Sequence, residues 1–190
     1  LSHKQTHGCT LDDVKLQWRP LAANAVPLIM AYPKDHFGCG HYRIMQPLHT
    51  VQAAGLADGV YTRRLQLPTE LARIAPDSLV LQVPISDEAL AYLNLIQPYY
   101  KGFKVFELDD YLTGLPIRSS LRKRIPRDIQ RRLRTALAPM DRMVVSTVQL
   151  AECMHDLHPD IHVVRNTLDP RWWGPDILPT SLRRTGPKPR

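Results

Sequence analysis

The chain has 190 residues, which is enough for one well-packed domain and too few for two domains of ordinary size. Its hydrophobic content of 44% and charged content of 23% are close to the averages of globular proteins, which argues against disorder and against a membrane-spanning protein. The net charge of +7 favours an anionic partner, and nucleic acid, an acidic lipid surface and phosphorylated small molecules all meet that requirement.

Short apolar runs alternate with helical patterns along the chain, as is typical of a parallel sheet with helices on both faces. The predicted strands are residues 26–33, 59–68, 79–84, 103–110, 141–147 and 161–170. The intervening helical patterns are residues 42–56, 69–76, 86–97, 126–138 and 148–157. With right-handed crossovers these units predict an α/β fold, namely a Rossmann-like, open and mostly parallel sheet.

The ends of the chain differ from the middle in composition. We expect residues 1–24 to be an N-terminal extension and residues 25–174 to be the Rossmann-like domain. Residues 175–190 are rich in Pro, Gly and Thr and are typical of a linker. Three widely spaced cysteines, Cys9, Cys39 and Cys153, give neither a disulfide framework nor a CxxC metal motif, which favours a reducing cytoplasm.

Ligands of open α/β sheets bind beyond the carboxyl ends of the strands, where the loops converge. That rule selects residues 36–43, 84–87, 109–115 and 166–169. In the first loop, Gly38 and Gly40 precede a predicted helix, so backbone amides there can approach an anion or a sugar. The loop lacks the GxGxxG pattern, which disfavours a dinucleotide site, and its glycines also fit a simple tight turn.

Polar side chains in the first loop are candidates for the cleft. His41 is a possible base or phosphate ligand, or else a solvated loop residue. Arg43 can clamp a carboxylate or phosphate through two hydrogen bonds, or form a surface salt bridge. Asp109 and Asp110 end a predicted strand, so we expect them to point to opposite faces and not to act together. Neither they nor the eight histidines form a metal-ligand pattern, and we predict no metal site.

The segment around the predicted helix 126–138 carries a high density of basic residues. Ile129, Leu133 and Leu137 recur every four residues, which predicts an amphipathic helix with arginines on its outer faces. This basic surface is either a solvated face or a contact with an anionic membrane, and it comprises Arg122, Lys123, Arg124, Arg127 and Arg131. Few aromatic residues are interleaved with the charges, which disfavours nucleic-acid binding.

Four segments, taken in order, resemble the N-terminal domain of GT-B glycosyltransferases of the family-4-like kind that build bacterial surface polysaccharides. They are GCGHYRIMQPL at residues 38–48, VFELDDYLTGLP at 105–116, DRMVVSTVQLAE at 141–152 and HVVRNTLDPRWW at 162–173. The resemblance covers residues 27–173, and the order and spacing of the segments matter more than any single one.

The resemblance implies a retaining, metal-independent transfer of a sugar from a nucleotide-sugar to an acceptor, in a cleft between two Rossmann-like domains. In that family the N-terminal domain mainly binds the acceptor, while the C-terminal domain binds the donor. We therefore expect this chain to need no cofactor of its own and to be inactive without a second domain. The residues that match the family's cleft-facing motifs are Gly38, Gly40, His41, Tyr42, Arg43, Asp109, Asp110, Asn166 and Asp169.

The expected partner is a sugar acceptor, for which a lipid-linked molecule is one option. The protein would then be cytoplasmic, with peripheral contact to the inner membrane through its basic surface. The alternative is a noncatalytic Rossmann-like module that binds a nucleotide or another anion, or that pairs with a protein.

Overall fold

The computed structural model describes residues 26–115, 118, 122–123, 125–169 and 173. The predicted N-terminal extension, residues 1–24, and the predicted linker, residues 175–190, lie outside the described residues, as does Arg124 of the basic surface.

Six strands form one open sheet in which every neighbouring pair is parallel. Their order across the sheet is β2-β1-β3-β4-β5-β6. The strands are β1 (Leu28–Tyr32), β2 (Asp58–Tyr61), β3 (Ser78–Gln82), β4 (Phe103–Leu108), β5 (Arg142–Val145) and β6 (Ile161–Val163). This parallel, Rossmann-like α/β architecture confirms the predicted fold class.

Helices connect successive strands, as the crossover rule requires for parallel pairs. The first, α1, begins with the turn Gly38–Gly40, continues as a π-helical segment (His41–Met45) and ends as the α-helix Gln46–Ala53. The others are α2 (Pro68–Ile74), α3 (Asp87–Ile96), α4 (Ile129–Leu137) and α5 (Val148–Met154), with a 3-10 turn at Leu112–Gly114. Ser86 caps α3 as predicted, since its side chain accepts a hydrogen bond from the Ala89 amide at 3.1 Å.

The hydrophobic core divides between the two faces of the sheet. On one face the larger cluster joins Met30, Leu79 and Phe106 of the sheet to buried side chains of α2 through α5. On the other face Ala31 packs against Ile44 and Leu48 of α1. Because alternate residues of a strand point to opposite faces, Met30 and Ala31 mark the two sides, and helices cover both.

The strand order creates a switch point between β1 and β3. The chain leaves β1 on one side to build β2 at the edge of the sheet, and then crosses to the other side of β1 to build β3. Connections on the two sides of such a point diverge, which leaves a crevice beyond the carboxyl ends of the two strands. Here that crevice lies between the segments that follow Tyr32 and Gln82.

Strand ends differ from the sequence-based prediction. β2 ends at Tyr61 and not at residue 68, and β6 has only three residues where ten were predicted. Both are edge strands with a single neighbour, so their pairing ends where that neighbour ends. β4 stops at Leu108, which places Asp109 and Asp110 in the following turn.

The residue that follows α2 generates a stability prediction. Ala75 adopts the left-handed conformation, with φ 48° and ψ 53°. This conformation is strained for a residue with a Cβ atom and unstrained for glycine. We expect Ala75→Gly to raise the free energy of unfolding by about 0.5–1 kcal/mol, measured by urea denaturation. The matched control is the exposed helical residue Ala72, where replacement by Gly should destabilise by about 0.5–1 kcal/mol. Destabilisation by both substitutions would contradict the left-handed cap.

Candidate functional site

The glycine loop after β1 is organised by the carboxylate of Asp35. Its Oδ1 accepts hydrogen bonds from the amides of Phe37 at 3.0 Å and Gly40 at 3.1 Å. A Cβ at Gly40 would lie 1.8 Å from the Asp35 carbonyl oxygen, so only glycine fits there, while Gly38 has φ +36° and open space around it. The turn therefore requires glycine at position 40 and favours it at position 38, and two of its amides bind Asp35 rather than an external anion.

Arg43 lies in the π-helical segment of α1 and is buried, with 3% of its side chain exposed. Its Nε donates a hydrogen bond to Glu107 Oε1 at 2.6 Å. Its Nη1 donates to the carbonyl oxygen of Val164 and, at 3.1 Å, to Asn166 Oδ1. Arg43 holds the carboxylate of the protein's own Glu107 through one hydrogen bond, and not through the two that the sequence analysis considered.

Glu107 was not among the site residues predicted from the sequence. Its side chain is 3% exposed, and burial raises its pKa to about 7, a shift that the repulsion from Asp109 increases and the contacts with Arg43 and Gln82 oppose. Its Oε2 and the neighbouring Gln82 Nε2 both lack a hydrogen bond of normal geometry within the described part of the chain. The sequence does contain a signal for Glu107, namely an acidic residue inside the apolar strand FKVFEL. A charge that is buried in a sheet requires a partner of opposite charge or hydrogen bonds.

The four segments that resemble glycosyltransferases meet at the carboxyl edge of the sheet. Arg43 of the first segment contacts Glu107 of the second and Asn166 of the fourth. Ser146 of the third segment donates a hydrogen bond from its Oγ to the carbonyl oxygen of Asp109 at 2.7 Å. Segments far apart in sequence are therefore connected by direct hydrogen bonds in one place.

The expectation that the side chains of Asp109 and Asp110 point to opposite faces is wrong. One carboxylate oxygen from each, together with Cys39 Sγ, lie within 4.8 Å of one another. Side chains alternate between the two faces only along a strand, and β4 ends at Leu108, so both residues lie in the turn that follows. Burial and the charge of Asp109 raise the pKa of Asp110, while Lys34 lowers it.

Cys39 does not have the properties of a nucleophile. Burial, a hydrogen bond to Asp109 and the nearby carboxylates raise the pKa of its thiol to about 12. A thiol with so high a pKa is protonated near neutral pH, and the thiolate is the reactive form.

A shallow cavity of about 270 Å³ gathers several of the predicted residues beside the glycine loop. The His41 ring packs edge-on against Tyr42, with 5.1 Å between the ring centroids. Asp169 is buried, whereas Asn166 is exposed and faces Arg43 outside this cavity. The cavity is lined by His36, Phe37, Gly38, His41, Tyr42, Asp169 and Trp173.

The larger cleft, of about 490 Å³, lies at the switch point between β1 and β3. Its polar lining comes from Lys34, Arg63, Gln82, Ser86, Glu88 and Asp110. Only Asp110 belongs to the residues predicted individually, although the 84–87 turn was also selected from the sequence. Beside the cleft, Val83 has φ 47°, which is a strained conformation for a β-branched residue.

Comparisons of the chain with models of known families, with curated proteins and with solved structures find no match. The resemblance to glycosyltransferases therefore remains a prediction that depends on the four segments.

The helix α4 is amphipathic, as predicted. Ile129, Leu133 and Leu137 are buried in the core, while the described members of the basic surface, Arg122, Lys123, Arg127 and Arg131, are exposed. Arg132 has a structural role instead, because its Nη1 forms an ion pair with Asp87 Oδ1 at 2.7 Å and donates a hydrogen bond to the Ile85 carbonyl oxygen at 3.0 Å. Among the residues that the structure describes, no helix combines the length and apolar character that crossing a bilayer requires.

Removal of the Arg43 guanidinium should loosen the carboxyl edge of the sheet. We expect Arg43→Met to lower the free energy of unfolding by about 3 kcal/mol, because Glu107 is left buried without its counter-ion. Arg43→Lys keeps the charge but loses the forked geometry, so its loss should be smaller. Urea denaturation measures both, and hydrogen exchange of residues 164–169 should accelerate in each variant. A change under about 0.5 kcal/mol for Arg43→Met would contradict this role.

The close approach at Gly40 gives a second prediction, with Gly38 as the internal control. Gly40→Ala should destabilise by about 3 kcal/mol, since the new Cβ overlaps the Asp35 backbone. Gly38→Ala has free space and should cost only about 1 kcal/mol of backbone strain. Equal losses of thermal stability in the two variants would show that the Asp35 turn is not packed in this way.

Proposed function

We propose that this domain binds the acceptor in a sugar transfer, as one half of a retaining, metal-independent GT-B glycosyltransferase. The observation that carries the proposal is the meeting of the four glycosyltransferase-like segments at the carboxyl edge of the sheet. They meet next to the cleft at the switch point, where ligands of such sheets bind.

The cleft between β1 and β3 is the proposed acceptor site. Its volume of about 490 Å³ lies within the range for small-molecule sites, and its walls mix apolar side chains with a few charged ones. Asp110 and Glu88 offer carboxylate oxygens that accept hydrogen bonds from sugar hydroxyls, and Lys34 and Arg63 offer donors. The nucleotide-sugar donor would bind a second domain, which would have to face this edge of the sheet.

The basic surface supports a further part of the proposal. Arg122 donates a hydrogen bond to the Leu115 carbonyl at 3.0 Å, and Leu115 and Ile125 line the cleft, so exposed cations border its mouth. A lipid-linked acceptor at an anionic membrane would approach this side, because cations near such a surface gain about 1 kcal/mol each. The protein would then be cytoplasmic and peripheral at the inner face of the membrane.

A noncatalytic module that binds a phosphorylated ligand is the second candidate function. The observation that favours it is the pair Lys34 and Arg63 in the same cleft, beside the N-terminus of α3.

A transfer assay on the complete gene product that contains this chain tests the proposal. Radiolabelled nucleotide-sugars are screened with acceptors presented in solution and in vesicles with or without anionic lipid. Asp110→Asn should lower kcat/KM for the acceptor by about tenfold and leave the KM of the donor unchanged, because a charge-assisted hydrogen bond is lost. Glu152→Gln, an exposed carboxylate on α5, is the matched control and should change neither.

Two results would count against the proposal. A folded gene product that transfers no sugar from any donor is not a glycosyltransferase. An active enzyme with an unchanged Asp110→Asn variant binds its acceptor elsewhere.

A further inference from the structure

An apolar groove of about 220 Å³ lies between α2 and the C-terminal end of α3. Among the described residues that line it, none carries a charge. The Tyr100 hydroxyl faces away from an external ligand, because it already donates a hydrogen bond to the Pro76 carbonyl oxygen at 3.0 Å. At the rim Tyr99 is 69% exposed, and Ala72 and Ala75 are exposed as well. The groove thus presents apolar surface and few polar groups.

These properties select an apolar segment of chain as the occupant, rather than a small molecule. Small-molecule sites generally have volumes of about 300–1,000 Å³ and a few precisely placed polar groups, whereas this groove is smaller and lacks charged ones. The small side chains of Ala72 and Ala75 let a neighbouring backbone come close to α2. Apolar side chains that enter the groove would remove Leu71, Ile96 and Tyr99 further from water.

The N-terminal segment of the chain joins the fold beside this groove. The Leu28 amide donates a hydrogen bond to Asp77 Oδ2 at 2.7 Å, and the Asp77 amide donates to the Leu28 carbonyl oxygen at 2.9 Å. Asp77 directly follows Pro76, which lines the groove. Ten residues of extended chain before Leu28 span up to about 33 Å, and α2 is only about 10 Å long, so the preceding segment can reach the whole groove.

The sequence of that segment has the pattern of an amphipathic helix. Leu11, Val14 and Trp18 recur at spacings of three and four residues, which places them on one face, and Leu16 falls on the opposite face. The sequence TLDD at residues 10–13 is a capping-box signal. A helix this short is marginal in water, so its apolar face needs a surface to pack against.

We propose that residues 10–19 pack as an amphipathic helix in the groove between α2 and α3, with Leu11, Val14 and Trp18 against its floor. The contact holds α2 in place, and with it the connection from β2 to α2, which contributes Arg63 and Leu65 to the cleft at the switch point. The inference does not depend on the proposed function, because it concerns a contact within the chain.

Two leucine substitutions in the whole chain test the segment by thermal unfolding. Leu11→Ser removes an apolar side chain from the proposed contact, and Leu16→Ser makes the same change on the opposite face. We expect Leu11→Ser to lower Tm by about 5 °C, because burial of a leucine side chain is lost. The matched control Leu16→Ser should lower Tm by less than about 1 °C.

Two alanine substitutions test the groove from its other side. Ala72→Glu puts a charge into the groove, and it should lower Tm by about 5 °C if an apolar segment covers that position. Ala91→Glu is the matched control, because Ala91 is an exposed residue of α3 outside the groove lining. It should change Tm by less than about 1 °C, since glutamate is a good helix former.

The combined variant Leu11→Ser/Ala72→Glu shows whether the two positions act through one contact. Its loss of Tm should be close to that of either single variant, because each substitution already removes the same packing. Amide hydrogen exchange of residues 68–76 should accelerate about tenfold in Leu11→Ser and stay unchanged in Leu16→Ser.

Additive losses in the combined variant, equal losses in the two leucine variants, or full tolerance of Ala72→Glu would each overturn the inference. A second copy of the chain in the groove would give a different result. The unmodified chain would then be a dimer by light scattering, with a Tm that rises with protein concentration, and Ala72→Glu would dissociate it. That result would also overturn the assignment of the groove to the N-terminal segment.

Discussion

The buried ion pair between Arg43 and Glu107 is the constraint on which the carboxyl edge of the sheet depends. Two charges that are each 3% exposed have lost most of their hydration, and that loss is tolerated only when further hydrogen bonds accompany the pair. Arg43 supplies them through Val164 and Asn166, so one guanidinium fixes α1 against β4 and against the segment after β6. The raised pKa of Glu107 is the electrostatic consequence of this burial.

The position of Arg43 follows from the loop that precedes it. Gly40 allows the first turn of α1 to lie directly against the Asp35 backbone, and the Asp35 carboxylate holds that turn. The π-helical segment that follows widens the helix, which changes the side chains that face the sheet. Buried Arg43, Ile44 and Met45 all lie in this segment. The glycine loop, which a sequence motif would assign to ligand binding, thus also has a structural role. It positions Arg43 so that the guanidinium reaches Glu107 on β4.

The sequence predicted the order and type of the elements well, because buried strands such as LVLQ and capped helices such as the one after Ser86 have local signals. Strand ends were predicted less well, since pairing with a neighbour decides them and the neighbour was unknown. The error at Asp109 and Asp110 has this origin: two more residues of strand would have separated carboxylates that the turn brings together. Glu107 and Gln82 were missed because each looks like an ordinary strand residue until its burial and partners are known.

The ion pair and the cleft are connected through the backbone of one residue. Glu107 holds Arg43 with its side chain, and its carbonyl oxygen accepts the Val83 amide at 2.9 Å. The positive φ of Val83 carries a strain energy of about 1–3 kcal/mol, and such a conformation persists only where contacts with the surrounding structure hold it. The bond to Glu107 is part of that enforcement, and it turns the chain so that Pro84, Ile85 and Ser86 line the cleft. The position of β4 therefore determines both the packing of the glycine loop on one face of the sheet and the shape of the cleft at the switch point.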